Sequence, residues 1–149
     1  MKNMKCNQED KLKNLLSDAI GIANSFHAGQ RDKNDEIYIL HPLRVMFQMD
    51  AYEEKIVAVL HDVLEDTDCT IKYLQDRDFS EDILLALVAI TRKADEKYME
   101  YIERVKTNEL ARKVKIKDLM DNLSRKGASD GLQKRYRQAL DILGENGVK

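Results

Sequence analysis

His61-Asp62-Val63-Leu64-Glu65-Asp66 follows directly on the apolar run Ile56–Leu60. On a helix His61 and Glu65 are four apart, as are Asp62 and Asp66, while Asp62 and Glu65 are three apart. One imidazole and three carboxylates then share adjacent turns of a central helix. Burying such groups unpaired is expensive, and like charges raise the cost further. A divalent cation relieves both penalties. An acidic, solvated second half of a helix explains the segment equally well at this point.

Two other positions bear on that choice. His41 stands in the otherwise apolar Tyr38-Ile39-Leu40-His41-Pro42, and Asp118 lies four residues after Val114 and seven after Ala111, on their helix face. Asn122 is one turn further on, and polar side chains beside an apolar stripe need partners. A hydrogen-bonded core histidine and a half-exposed polar stripe are the plainer alternatives. Taken together, His41, His61, Asp62 and Asp118 offer two imidazoles and two carboxylates from three helices. Such a mixed N/O set with open positions suits Mn²⁺, with Fe, Mg²⁺ and Zn²⁺ as alternatives. A divalent ion lowers the pKa of a bound water from about 15.7 towards about 7 and polarises a phosphoryl oxygen. An adjacent carboxylate can orient the nucleophile or move a proton.

The elements that must position these groups read as helices throughout. Leu12, Leu15, Leu16, Ala19, Ala23 and Phe26 recur at spacings of three and four, predicting an amphipathic helix over about 9–27. Ala28–Ile37, rich in Gly, Asp, Asn and Lys, is a loop. Tyr38–Met49 follows as a helix, with Pro42 tolerable in its first turn. Asp50 and Glu53 resemble a capping box for a third helix running through Glu65. A short helix near Thr70–Asp76 and a buried one over Glu81–Arg92, capped by Ser80, come next. Asp95–Lys106, Asn108–Arg125 and Asp130–Leu143 complete the set. Tyr98, Tyr101, Ile102 and Val105 read as a packing stripe. Strand signals are weak, so the expectation is an all-α single-domain bundle over 1–149, with a core of about 9–143 and a flexible tail over 144–149.

Composition narrows the function classes. A chain of 149 residues buries about 70% of its unfolded surface without a disulfide or metal crutch. A formal net charge of −2 argues against nucleic-acid or membrane-surface binding by bulk charge. The longest apolar run, Ile83–Ile90, has eight residues, against the roughly 20 of a membrane span. Met1–Asp10 lacks an apolar signal region, and Cys6 and Cys69 form no metal or redox spacing, so a cytoplasmic location with reduced thiols is expected. The charge is unevenly spread. Residues 50–82 carry eleven acidic and three basic side chains, and 104–137 carry eleven basic and four acidic.

His-Pro-Leu-Arg-Val at 41–45, His-Asp-Val-Leu-Glu-Asp-Thr at 61–67 and Lys-Ile-Lys-Asp-Leu-Met-Asp-Asn at 115–122, in this order, resemble the HD superfamily of metal-dependent phosphohydrolases. More narrowly, the chain resembles the hydrolase domain of the RelA/SpoT alarmone enzymes and their stand-alone small hydrolases over roughly residues 10–125. Phe26-His27-Ala28-Gly29-Gln30-Arg31 fits that family's first motif. The resemblance implies His41, His61, Asp62 and Asp118 as metal ligands, and Glu65 and Asp66 as the acidic pair that handles the attacking water and its proton. It places Asn122 against the nucleotide and Tyr38 beside the pocket, and makes His27 a nearby hydrogen-bonding residue rather than a ligand. The implied reaction removes pyrophosphate from the 3′ side of a guanosine alarmone, leaving GDP or GTP. No synthetase half is expected after the hydrolase motifs.

One departure from the family pattern concerns the substrate. The family places a basic residue, packed on the guanine base, two positions after the glutamine of its first motif. Asp32 stands there in this chain. Lys33 matches the next basic site, Arg31 is a substitute for the missing cation, and Asn34-Asp35-Glu36-Ile37 replaces the usual Gly-x-Pro-Tyr turn. Arg92, Lys93 and, more weakly, Arg125 are candidate phosphate contacts, against the plainer reading of solvated surface cations. The expectation is therefore a metal-dependent nucleotide phosphohydrolase that releases pyrophosphate from a guanosine-based substrate. A general HD nucleotidase or phosphatase and a non-catalytic nucleotide-binding module are the alternatives.

Overall fold

A computed structural model describes residues 2–144, with side chains from residue 7. Among the described residues the secondary structure is helical, and the only pairing of extended backbone is an isolated bridge between Arg31 and Ile37. The helices are α1 (Lys2–Phe26), α2 (Leu40–Phe47), α3 (Tyr52–Leu60), α4 (Val63–Asp66), α5 (Ile71–Gln75), α6 (Glu81–Ile90), α7 (Tyr98–Lys106), α8 (Glu109–Ser124) and α9 (Asp130–Leu143).

Helix α3 is the centre of the bundle. Its run Ile56–Leu60 is wholly buried, and α1, α2, α6 and α8 all pack on it. A helix apolar on every face can only be satisfied by neighbours all round. The buried side chains of all these helices form one contiguous core. Side-chain caps on Thr70, Ser80, Asn108 and Ser129 start α5, α6, α8 and α9, each accepting the backbone N–H three residues on. Gly144, at φ +87°, closes α9 in the left-handed conformation that glycine adopts without strain. The expected flexible tail beyond it, residues 145–149, lies outside the described residues.

Several sequence expectations are corrected. Helix α1 begins at Lys2, ahead of the expected start near residue 9, as the Lys, Gln and Glu residues before Leu12 favour helix. Helix α2 begins only at Leu40, Tyr38 and Ile39 forming a turn before it. The third helix is not capped by Asp50 and Glu53. Ala51 is its N-cap, and the Glu54 carboxylate accepts the backbone N–H groups of Asp50 and Ala51. Nor does that helix run through to Glu65: it stops at Leu60, and a turn at His61 and Asp62 leads into α4. Helix α7 starts at Tyr98, because Glu96 organises a turn before it by binding Arg104 and the N–H of Lys93. The run Ile83–Ile90 is buried on one side only. Ile83, Ala86, Leu87 and Ile90 are in the core, while Leu85 and Val88 are about half exposed at the edge of the bundle.

Candidate metal centre and adjoining cleft

The turn after Leu60, whose two residues keep right-handed helical dihedrals, carries the first two ionisable groups. The side chains of His61 and Asp62 meet there, with His61 Nε2 at 3.1 Å from Asp62 Oδ2. From α2, His41 brings its Nε2 to 2.8 Å from Asp118 Oδ1 and 3.6 Å from Asp62 Oδ2. Asp118, from α8, is also 3.3 Å from His61 Nε2. The four side chains singled out from the sequence thus converge on one point, and His41, His61 and Asp118 are all buried there.

The protons of the two imidazoles are committed elsewhere. His61 Nδ1 lies 2.5 Å from the carbonyl oxygen of Ala58, and His41 Nδ1 lies 2.6 Å from Asp121 Oδ2. Both partners accept, so each Nδ1 donates and each Nε2 turns a lone pair towards two carboxylates. His61 Nε2 is buried without a hydrogen bond. Two lone pairs against two anions, away from water, require a cation between them: a proton on each ring or a shared metal ion. The same field appears as shifted affinities for protons. Burial lowers the pKa of His41, but hydrogen bonds to Asp118 and Asp121 outweigh it and raise the net value. His61 is raised well above its ordinary range, the charges of Asp62 and Asp118 overcoming burial. Asp118 is driven the other way against burial, by Lys115 and the two histidines, and Asp62 likewise, by His61 and His41. Two imidazole nitrogens and two carboxylate oxygens fit a divalent cation that prefers hard and borderline ligands.

A second group of carboxylates adjoins the first. Asp62, Glu65 and Asp66 each offer an oxygen within 4.8 Å of the others, with Glu65 and Asp66 facing solvent. Glu65 accepts the backbone N–H of Arg92 at 3.0 Å. Asp66 is raised to about 6, first by burial and then by the charges of Asp62 and Glu65. The Tyr38 hydroxyl donates to Asp62 Oδ2 at 2.6 Å and reaches Asp66 Oδ2 at 3.4 Å. Burial and these anions push the phenol far up, so it stays a donor.

Sequence reasoning missed three members of this network. Lys115, mostly buried, places its ammonium 2.8 Å from Asp118 Oδ2 and holds that carboxylate's second oxygen. Asp121 fixes His41, and Arg44 binds both oxygens of Asp121 at 2.9 and 3.1 Å. The signals were spacings of three: Lys115 to Asp118 along α8, and His41 to Arg44 along α2.

Beside the cluster lies a cleft of about 260 Å³ whose wall includes His41, Tyr38, Asn122, Lys33, Arg31 and Tyr136. Asn122 stands one turn beyond Asp118, its Nδ2 at 3.4 Å from Asp118 Oδ1. Arg31 borders the cleft, but its guanidinium is turned onto the carbonyl and carboxylate of Asp35. Arg92 and Lys93 are not in this wall. They sit on the Glu65 side, where Arg92 Nε binds the carbonyl of Glu96. His27 is buried, with Nδ1 at 2.8 Å from Gln30 Oε1 and its ring 4.9 Å from that of Tyr38.

No family model matches the sequence. The chain is 36% identical over 84 residues to the guanosine-3′,5′-bis(diphosphate) 3′-pyrophosphohydrolase of Aquifex aeolicus, a stretch covering 54% of this chain and 12% of that protein. It is 37% identical over 82 residues to the enzyme of the same name from Borreliella burgdorferi, covering 52% of this chain and 12% of that one. It therefore spans only about an eighth of the length of these relatives. Among solved structures, a metazoan ortholog of SpoT, described as hydrolysing ppGpp and playing a role in starvation responses, superimposes with a TM-score of 0.71 at 21% identity. That alignment covers 89% of this chain and 84% of that one. The fold is thus that of the helical SpoT-type hydrolase, and half of the chain is similar in sequence to SpoT-type pyrophosphohydrolases.

Proposed function

We propose that this protein is a metal-dependent phosphohydrolase that removes pyrophosphate from the 3′ position of a guanosine alarmone, as the names of its relatives describe for them. The observation that carries the reading is the convergence of His41, His61, Asp62 and Asp118 with both Nε2 atoms turned inward, beside a cleft of nucleotide-compatible chemistry. These four residues would hold the ion, for which we favour Mn²⁺. When bound, it supplies a Lewis acid towards a phosphoryl oxygen and an acidified water.

The remaining work falls to the chain. Water adds to the phosphorus next to the ribose 3′-oxygen, the 3′-oxygen–phosphorus bond breaks, and the ribose oxygen leaves with a proton. Glu65 and Asp66, beside the cluster and open to solvent, would take the proton of the attacking water and return it to the leaving oxygen. Tyr38 holds Asp62 in orientation, and Asn122 faces the cleft where the nucleotide would lie. Lys33 and Arg31 at the cleft, and Arg92 and Lys93 beside Glu65, are cations for the substrate's phosphates. Among the described residues no helix is long and apolar enough to cross a membrane, and the buried free thiol of Cys69 suits the cytoplasmic location we favour.

Glu65→Gln and Asp66→Asn test the assignment. Both should lose turnover of ppGpp and pppGpp by a factor of about 10² or more while binding Mn²⁺ as the parent does. Full turnover by either variant would remove that residue from the mechanism.

A further inference from the structure

Among the described residues, Asp32 is the one acidic side chain in the wall of the cleft, and each of its oxygens accepts a hydrogen bond. Oδ1 accepts the backbone N–H groups of Asn34 at 2.8 Å and Glu36 at 3.0 Å, which shapes the loop. Oδ2 accepts Arg125 Nη2 at 2.5 Å, across 93 residues of sequence. Nearby, Asn34 Nδ2 donates to the carbonyl of Lys126 at 3.2 Å. The loop and the end of α8 are therefore tied at two points, and these ties hold one side of the cleft together. Asp32 is thus held by three donors of the chain itself, and Arg31 is engaged with Asp35.

The second guanidinium in the wall is that of Arg125, its side chain 22% exposed. A guanidinium bonded to a carboxylate through its edge keeps its flat faces for stacking, while its charge is partly neutralised. That combination favours an aromatic ring over a phosphate. The position also fits. Asp118, Asn122 and Arg125 follow one another towards the end of α8, and seven residues of helix rise about 10 Å, close to the span from a ribose 3′-phosphate to its base.

We infer that Arg125, clamped by Asp32, is the specificity-determining side chain of the cleft and supplies the face on which the nucleotide base stacks. Asp32 is its positioning residue. The carboxylate in the loop is then no loss of base recognition, because the cation arrives from the C-cap of α8. The inference rests on the reading of the cleft as a nucleotide site.

The test is calorimetric titration of the Mn²⁺-loaded protein with guanosine 3′,5′-bisphosphate, which has no pyrophosphate to release, and with the corresponding ribose bisphosphate lacking the base. Arg125→Lys keeps the charge and loses the plane. It should bind the guanosine ligand about tenfold more weakly and the abasic ligand within about twofold of the parent. Asp32→Asn, which loosens the clamp, should weaken the guanosine ligand by about threefold, with circular dichroism confirming its fold. Equal losses on the two ligands would make Arg125 a phosphate contact and overturn the inference. Unchanged binding by Arg125→Lys, or no saturable binding of guanosine bisphosphate by the parent, would also overturn it. Neither probe can lose pyrophosphate, so a protein that shows this discrimination yet releases none from ppGpp would refute the proposed reaction and leave the role of Arg125 standing.

Discussion

His41 Nδ1 lies 2.6 Å from Oδ2 of Asp121, a carboxylate that Arg44 grips through Nε and Nη2. The contact selects the tautomer: with the proton on Nδ1, the Nε2 lone pair faces Asp118 and Asp62. Carboxylates behind metal-binding histidines both orient the ring and raise its basicity. Asp121→Ala should therefore weaken Mn²⁺ binding about 10- to 100-fold, measured by calorimetry, with helicity retained. Asp121→Asn, which keeps the size but loses the charge, should fall between the parent and the alanine variant. Unchanged affinity in Asp121→Ala would mean that packing alone fixes His41.

Tyr38→Phe removes the hydroxyl that donates to Asp62 and reaches Asp66 while leaving the ring against His27. A lost hydrogen bond to a charged group is worth about 1.5–3 kcal/mol. Turnover should drop by about ten- to a hundredfold, while Mn²⁺ affinity changes less than in Asp121→Ala. A variant with parental turnover would show that Asp62 needs no such support.

Lys115 and Asp118 form a buried pair, and breaking one half strands the other. Asp118→Ala leaves a mostly buried ammonium without its carboxylate and should cost about 3 kcal/mol in urea unfolding. Lys115→Met added to Asp118→Ala should recover a large part of that stability without restoring Mn²⁺ binding. Recovery of neither would place the damage in the metal cluster rather than in the stranded charge.

The bundle was legible in the sequence because helix periodicity, cap residues and few chain breakers agreed, and α9 falls on the predicted residues. What the pattern could not show was the break at His61. Ile56–Glu65 contains no glycine or proline to announce it, yet Asp62, Glu65 and Asp66 still come together just beyond it, as their spacing suggests. His41, His61, Asp62 and Asp118, singled out by residue type, are brought together by tertiary packing of three elements. Asp121 was hidden for a related reason. Its partners lie on another helix, and pairing across helices has no periodic signature. Leu85 and Val88 illustrate the limit of composition, because an apolar run does not say which of its faces finds a neighbour.

Glu96 provides a pH test away from the metal cluster. Arg104, bound at 2.8 and 3.0 Å, holds its carboxyl down at about 2, against an ordinary value of 4.5, with burial opposing and the N–H of Lys93 assisting. A folded-state pKa below the unfolded one stabilises the protein above the unfolded pKa and ceases to do so as pH falls through the folded one. The melting-temperature gap between the parent and Glu96→Gln should be widest above about pH 5 and close as pH falls from about 4.5 towards 2. A gap independent of pH would show that Glu96 acts by packing alone.

The central claim is a bond cleavage with a defined product. Parent protein loaded with Mn²⁺ is incubated with ppGpp, and the released species are followed by ³¹P nuclear magnetic resonance. The proposed reaction yields GDP and inorganic pyrophosphate in equal amounts, with no orthophosphate, and neither product from Glu65→Gln. Orthophosphate as the released species, or an unchanged ppGpp spectrum with the metal demonstrably bound, would contradict it.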